Sequence, residues 1–215
     1  MLFGTAFILE KNSYSTGFKV TSLSNQENFR TIKPEIRVLG IDDGKFIPQT
    51  KGSASIVGVV FRGGCSIEGV MHTRIIIDGL DATEKLALMI NNSPHHKQLR
   101  LVMLNGITFG GFNVVDIRKL YLATKLPVLA LTNEKPDLNG IHEALENLPK
   151  AKERWSMILE AGKIHEIINK GTTIYVETAG ISFDDAEKII ALTSTRSSLP
   201  EPLRVAHLIA SGVSP

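Results

Sequence analysis

The sequence predicts a single main α/β domain in which a mixed sheet carries helices on both faces. Three β-rich runs come first and are joined by short connections that contain glycine. Helical and apolar β-rich runs then alternate along the rest of the chain. The length of 215 residues, with 43% hydrophobic and 21% charged residues, is ordinary for one globular domain with a sizeable core.

The composition excludes several classes of protein. The hydrophobic content excludes intrinsic disorder for most of the chain. The single cysteine, Cys65, excludes an internal disulfide and a cysteine-rich zinc module. No apolar run is long enough to span a membrane, so we expect a cytoplasmic protein. The formal net charge of +2 does not demand a polyanionic partner, and it leaves room for a local basic patch.

The first 35 residues differ in composition from the rest. They are rich in turn-forming residues and contain two short candidate strands, at 5–9 and 17–21. We predict that residues 1–35 are an N-terminal extension packed on a main domain of residues 36–215.

Three strands are predicted at the start of the main domain, over residues 36–41, 55–61 and 67–77. Turn-forming sequences end them, at Asp42-Asp43-Gly44, Gly63-Gly64 and Asp78-Gly79. The short connections predict an antiparallel meander, and the long apolar runs predict a sheet that is partly covered on both faces.

Helices and strands alternate in the second half of the chain. The apolar spacing predicts helices over 81–91, 112–124, 140–148, 151–161, 182–192 and 200–211. Buried strands are predicted over 99–104, 126–131 and 172–177. The order is therefore β-β-β-α-β-α-β-α with additions at both ends, which matches the ribonuclease H-like fold.

Acidic residues are the first candidates for chemistry, because nucleases on this fold hold divalent ions between carboxylates from different elements. Asp42 ends the first buried strand, and the adjacent Asp43 points to the opposite face. Glu84 opens the first helix and Asn105 ends the fourth strand. Asp78 and Asp185 are further candidates.

Each acidic candidate also has a structural interpretation. Asp43-Gly44 and Asp78-Gly79 are common turn pairs. The spacing of Asp81 and Glu84 fits a capping box, and Ser182 is placed to cap the late helix that contains Asp185.

Glycine pairs and basic residues are the candidates for binding phosphate. Arg62 with Gly63-Gly64 offers a guanidinium and backbone amides, and Gly110-Gly111 precedes a predicted helix. The alternatives are a strand-ending turn and close packing of helix on sheet. A basic rim over one end of the sheet is predicted from His95, His96, Lys97, Arg100, Lys45, Lys51 and Arg74, with a solvated loop as the alternative. We interpret His207, on the last helix, as a hydrogen-bonded packing partner rather than a ligand.

Five strings together resemble a known family. They are RVLGIDDG at 37–44, FRGG at 61–64, DGLDATE at 78–84, NGITFGGFNVVD at 105–116 and PEPLRVAH at 200–207. Their joint occurrence resembles the archaeal endonuclease dU family, which is similar to endonuclease V of the ribonuclease H-like superfamily.

The resemblance to endonuclease V implies catalytic roles for Asp42 and Glu84. Its second aspartate falls on Asn105, whose amide oxygen can coordinate an ion but brings no charge. Its histidine, which follows a glycine near the last strand, falls on Gly180-Ile181, where this chain has isoleucine. The C-terminal string at 200–207 fits well.

The resemblance therefore implies a Mg²⁺- or Mn²⁺-dependent endonuclease. Asp42, Glu84 and Asn105 would hold the ion, with Asp43, Asp78 or Asp185 as further ligands. The implied partner is DNA with a deaminated or damaged base, or RNA. The departures at Asn105 and Ile181 favour an alternative, a nucleic-acid- or partner-binding protein that has kept the fold and lost catalysis.

Overall fold

The computed structural model describes residues 29–48 and 50–214. Strands are β1 (Arg37–Asp43), β2 (Ser53–Arg62), β3 (Ser66–Ile76), β4 (Leu101–Asn105), β5 (Thr108–Phe109), β6 (Asn113–Val114), β7 (Val128–Thr132), β8 (His165–Asn169) and β9 (Thr172–Ala179). Helices are α1 (Ala82–Asn91), α2 (Ile117–Thr124), α3 (Leu138–Leu145), α4 (Ala151–Ala161), α5 (Phe183–Thr193) and α6 (Glu201–Val213).

Seven of these strands form one mixed sheet in the order β3-β2-β1-β4-β7-β9-β8. Strands β1, β4 and β7 are parallel, whereas β2 and β9 run antiparallel to their neighbours on either side. We call the end of the sheet at which β1, β4 and β7 finish the carboxyl edge, and the opposite end the amino edge. The predicted mixed sheet is confirmed.

Helices cover both faces of the sheet, as predicted. On one face, Leu86 of α1 and Leu120 of α2 pack in a core cluster with Leu39 and Ile41 of β1. On the other face, Ile189 of α5 and Leu203 of α6 belong to a second core cluster, together with residues of β1, β4, β7 and β9. Alternate residues of β1 therefore point to opposite helical layers.

The largest differences from the predictions are at α2 and β8, and the helix predicted over 140–148 is α3, at Leu138–Leu145. The helix predicted over 112–124 begins only at Ile117, because Gly110 and Gly111 adopt φ values of +53° and +88° and turn the chain into a small β5–β6 hairpin. Strand β8 was missed because its sequence is half polar and only two of its five residues are buried. It pairs with β9 through a turn at Lys170 and Gly171, both with positive φ.

The candidate strands at 5–9 and 17–21 lie outside the described residues, and the boundary between 1–35 and 36–215 stays a prediction. In the part of the chain that the structure describes, no helix is long and apolar enough to cross a membrane.

Candidate active site at the carboxyl edge

Asp42 is a buried carboxylate at the carboxyl edge of the sheet. It lies near the end of β1 and its exposure is only 2%. Its Oδ1 accepts a hydrogen bond from the amide of Asp43 at 2.9 Å, and its Oδ2 accepts one from Nδ2 of Asn105 at 3.0 Å. Burial raises the pKa of Asp42, and these bonds, with that of His207, oppose the rise. The structure thus joins Asp42 and Asn105, which end neighbouring parallel strands.

His207 on α6 is the third side chain of this group. Its Nδ1 lies 2.8 Å from Oδ2 of Asp42, and 60% of its side chain is exposed. The imidazole therefore links a buried carboxylate to solvent. The sequence predicted a hydrogen-bonded side chain at His207, and the structure shows that its partner is the carboxylate of Asp42. Ile181, where the resemblance suggested a histidine, is buried in a core cluster.

Glycine in β1 brings α6 close enough for this contact. A Cβ at Gly40 would overlap the backbone of Pro202 and Leu203, at the start of α6. A Cβ at Gly44 would overlap Ser214, just after the end of α6. The last helix can therefore lie directly on β1 along its whole length, with His207 between the two close approaches.

Asp43 points to the opposite face from Asp42 and holds the β5–β6 turn. Its Oδ2 accepts a hydrogen bond from the amide of Gly110 at 2.6 Å. Burial, with the neighbouring charge of Asp42, raises the pKa of Asp43 to about 6, although the Gly110 bond opposes the rise. The amide of Gly110 thus already has an acceptor, and Gly110 and Gly111 lie in a hairpin turn. The prediction that this pair precedes a helix and binds phosphate at its N-terminus is wrong in its placement.

Asp78 holds the same turn from the end of β3. Its amide donates to the carbonyl of Gly110, and its Oδ1 accepts from the amide of Phe112 at 2.9 Å. The guanidinium of Arg154, only 3% exposed, donates to the carbonyls of Asp78, Gly79 and Phe112. Burial lowers the pKa of Arg154, and the charge of Asp78 opposes that shift. Arg154 therefore links the β3–α1 loop to the β5–β6 turn through hydrogen bonds.

Glu84 lies in the first turn of α1, which begins at the carboxyl edge after β3. Its side chain is exposed and has no hydrogen-bond or ion-pair partner among the described residues. Asp81 makes no capping bond to α1; its Oδ1 accepts from the amide of Ile76 and from Nδ2 of Asn113. The capping box is therefore wrong, because Asn113 caps the first amide of α1 instead.

The predicted basic rim is divided between the two edges. Lys45, Lys51 and Arg74 lie near the carboxyl edge, where β1 and β3 end and β2 begins. His95, His96 and Lys97 lie in the loop that leads into β4, at the amino edge. His95 packs against Gly69 near the start of β3, and Nε2 of His96 contacts the carbonyl of Thr124 at 2.9 Å. The prediction of one rim is wrong because the chain must return to the amino edge before each parallel strand.

Arg62 and Asp185 also lie away from Asp42. Arg62 ends β2, which runs antiparallel to β1, so it lies at the amino edge, 3.2 Å from Oε1 of Glu68. Gly63, with a φ of +58°, donates its amide to the carbonyl of Ile36 in the strand-ending turn. Asp185 accepts from the backbone amide of Phe29. That segment also lies at the amino edge, because Arg100, directly before β4, stacks on the Phe29 ring. Ser182 caps α5, as predicted.

The carboxyl edge thus brings together Asp42, Asn105 and His207. Asp43 follows Asp42 on β1. Glu84 lies at the same edge on α1, which packs on the opposite face of the sheet from α6, and no hydrogen bond or ion pair joins Glu84 to Asp42. Among residues 29–48 and 50–214, no three His, Cys, Asp or Glu side chains converge on a point that could hold a metal ion. The sequence did carry one signal for His207, since it ends the string at 200–207 that the resemblance matched well.

Comparison with known proteins places both the fold and the family. The structure is similar to endonuclease V from Bacillus subtilis, with a TM-score of 0.55 and 14% identity over 84% of this chain and 82% of that one. It is also similar to Ciona intestinalis endonuclease V in complex with DNA containing an inosine followed by a ribo-adenosine, with a TM-score of 0.52, 14% identity, and coverage of 80% and 82%. The chain therefore has the mixed α/β fold of endonuclease V.

The particular family follows from closer relatives. The family model for endonuclease dU matches residues 34–214, so the chain belongs to the endonuclease dU family. A UPF0215 protein of Methanosarcina mazei is 54% identical over 185 residues, which are 85% of this chain and 93% of the relative. A protein of unknown function from Archaeoglobus fulgidus has a TM-score of 0.76 and 40% identity, and the match covers 83% of this chain and 98% of that one.

Proposed function

We propose that this protein is a divalent-metal-dependent endonuclease that acts on nucleic acid with a deaminated or damaged base. The observation that carries the proposal is Asp42, a carboxylate buried at the carboxyl edge and contacted by Asn105 and His207. Buried acids with raised pKa values are costly to stability, and they are concentrated in functional sites.

The donor atoms suit a hard cation such as Mg²⁺ or Mn²⁺. Asp42 and Glu84 supply carboxylate oxygens, and Asn105 supplies an amide oxygen. Magnesium commonly keeps several waters and needs only one or two carboxylates, so three converging acidic side chains are not required. We propose that Asp42 and Glu84 hold the ion with Asn105 as a neutral ligand. Such an ion polarises the phosphodiester and lowers the pKa of a bound water.

His207 gives the site a group that can move a proton. When its Nδ1–H donates to Oδ2 of Asp42, the other ring nitrogen is free to accept a proton at the exposed side of the ring. The carboxylate fixes the orientation of the ring and stabilises the imidazolium that forms. His207 would therefore accept a proton from an attacking water or return one to the leaving oxygen.

The proposed substrate rests on the family and on the charges at the edge. The Ciona endonuclease V binds DNA that contains inosine, and we extend that class of substrate to this chain. Lys45, Lys51 and Arg74 are exposed near the carboxyl edge and would contact phosphates. A location in the cytoplasm stays a prediction.

The test is cleavage of end-labelled oligonucleotides, DNA and RNA, that contain one uracil or one hypoxanthine. Wild-type protein with Mg²⁺ or Mn²⁺ should cut near the modified base and should be inactive with a chelator. Asp42→Ala should be inactive, whereas Asp184→Ala, an acidic residue on α5, should cut like wild type. Equal cleavage by Asp42→Ala would contradict the proposal, as would no cleavage by wild type.

Asn105 favours a second candidate function, nucleic-acid or partner binding without catalysis. Its amide donates to Asp42 where the resemblance suggested an aspartate, so the site has one negative charge fewer. A protein of this kind would bind nucleic acid in a salt-dependent manner and would not cut it with any divalent ion.

A further inference from the structure

A cavity of about 440 Å³ lies beside the candidate active site, on the α3 and α4 side of the sheet. Its lining includes Gly106, the residue after Asn105, and Glu177 of β9. Its walls include Leu138, Ile141 and Ile158, from α3 and α4. The volume and the apolar walls are typical of a site for a small organic group.

One ionisable residue of the central sheet, Glu177 on β9, lines this cavity. It has no hydrogen-bond or ion-pair partner among the described residues. Burial raises the pKa of Glu177 to about 7. Glu134, Lys135 and Asp137 line the cavity from the loop before α3, and Asp137 is occupied by two amides at the start of that helix.

A carboxyl group that is largely buried and has no hydrogen-bond partner lowers the stability of the folded protein, and a bound ligand that hydrogen-bonds to it would offset this cost. In its neutral form the carboxyl group offers one O–H donor and one carbonyl acceptor side by side. That pair is complementary to the edge of a nucleobase that carries a carbonyl next to a ring N–H, as uracil and hypoxanthine do. The apolar walls would contact the faces of a planar ring.

Glu177 lies on the face of the sheet opposite to Asp42 and Asn105, because its neighbour Val176 packs in the same core cluster as Met103, two residues before Asn105. The cavity reaches the carboxyl edge at Gly106, so a base that leaves a nucleic acid strand held at Asp42 would enter the cavity over that edge.

Asn105 pairs with Leu131 of β7, and Leu131 pairs with Val176 of β9, next to Glu177. Two inter-strand steps separate the backbones of Asn105 and Val176, roughly 10 Å. Enzymes that act on a base in a duplex rotate it out of the stack into a pocket.

We propose that Glu177 binds the hydrogen-bonding edge of an unstacked nucleobase that occupies this cavity. The inference rests on the proposed function and deepens it, because it assigns recognition of the base to a residue outside the proposed metal site.

The test separates binding of the base from cleavage. Fluorescence anisotropy without added metal, at pH 6, would measure the Kd for labelled oligonucleotides with a central uracil, a central hypoxanthine or an abasic analogue. Wild type should bind the base-containing strands about tenfold tighter than the abasic strand, the effect of one or two buried hydrogen bonds. Glu177→Leu should lose this preference, and Glu177→Gln, which keeps a donor and an acceptor, should retain it.

Matched controls make each outcome decisive. Glu166→Leu, at an exposed position on neighbouring β8, should behave like wild type, and thermal unfolding should show that both leucine variants are folded. A preference that survives in Glu177→Leu would overturn the assignment of Glu177, even if the protein cuts nucleic acid. Equal binding of base-containing and abasic strands by wild type would overturn the base cavity but not the endonuclease. No binding to any strand, even after Mg²⁺ is added, would overturn both proposals.

Discussion

The acidic side chains at the two edges of the central sheet differ in whether they have a cationic partner. At the carboxyl edge, burial raises the pKa values of Asp42 and Asp43, and the ionisable side chain that contacts Asp42 among the described residues is the exposed histidine His207. At the amino edge, Glu68 lies between Arg37 and Arg62, with N–O distances of 2.5 and 3.2 Å. Asp42 and Asp43 are therefore left without a permanent cation, whereas the charge of Glu68 is neutralised by two arginines.

The difference separates function from structure. Exposed ion pairs contribute little to stability. Buried acids without a permanent cation lower stability, and natural proteins keep such groups where activity requires them. The comparison therefore supports the carboxyl edge as the proposed site, independently of any resemblance.

Asp42→Asn should have the largest effect, because it removes the charge and keeps the shape. We expect cleavage to fall about a thousandfold or more, as when other essential catalytic groups are removed. The free energy of unfolding in metal-free buffer should not fall, because a buried charge is removed. Cleavage assays and urea unfolding would measure the two effects. A fall in unfolding free energy large enough to account for the lost cleavage would show that Asp42 is a structural residue.

Gly40→Ala should have the next largest effect. The added methyl group would overlap the backbone of Pro202, so α6 must move away from β1. We expect a loss of about 2–3 kcal/mol in unfolding free energy, measured with urea. Gly212 lies on α6 with open space around it. Gly212→Ala should therefore raise the unfolding free energy by up to about 1 kcal/mol. Similar effects at both positions would argue against a close approach at Gly40.

Glu177→Gln should change the pH dependence of stability. The folded protein holds the proton of Glu177 up to a pKa of about 7, from an ordinary value of 4.5. Between these pH values the folded state binds more protons than the unfolded state. The contribution of Glu177 to the free energy of unfolding therefore falls as pH rises. Wild type should lose about 1–2 kcal/mol relative to Glu177→Gln between pH 5 and pH 8.

Urea unfolding of both proteins at several pH values would measure this difference. Glu177→Leu, which also removes the titrating proton, should follow Glu177→Gln in slope. Parallel curves for wild type and both variants would show that Glu177 is as well solvated as an ordinary surface acid.

Arg62→Ala should have the smallest effect, because it removes an exposed ion pair at the amino edge. We expect a loss below about 1 kcal/mol that shrinks as salt is added. Cleavage should stay within about twofold of wild type. A large loss of cleavage without a loss of stability would show that Arg62 contributes to function. It would then contradict the separation of function and structure between the two edges.

Local sequence patterns were sufficient for most of the fold. The apolar run before Asp42 predicted β1, and the 3.6-residue spacing predicted α1 and α4 almost to the residue. The hairpin at Gly110 was missed because a glycine pair predicts a turn without saying which element follows it. Strand β8 was missed because an outer strand with one polar face has little apolar signal.

The candidate site was harder to predict than the fold. Asp42 and Asn105 each end a buried strand, and the ends of parallel strands meet at one edge, so their pairing follows from strand order. His207 lies 165 residues from Asp42, and the sequence around it is typical of an ordinary amphipathic helix. Only the close packing of α6 on Gly40 turns that histidine toward the carboxylate.

The sequence by itself determined the order of the elements and the presence of a buried aspartate at the end of the first strand. These properties depend on periodicity and on residue type, which are local. The tertiary structure decided which candidates meet. Each reversal of the chain moves a loop from one edge of the sheet to the other, so Arg62 and His95 lie with the amino edge, and Asn105 and His207 lie with Asp42.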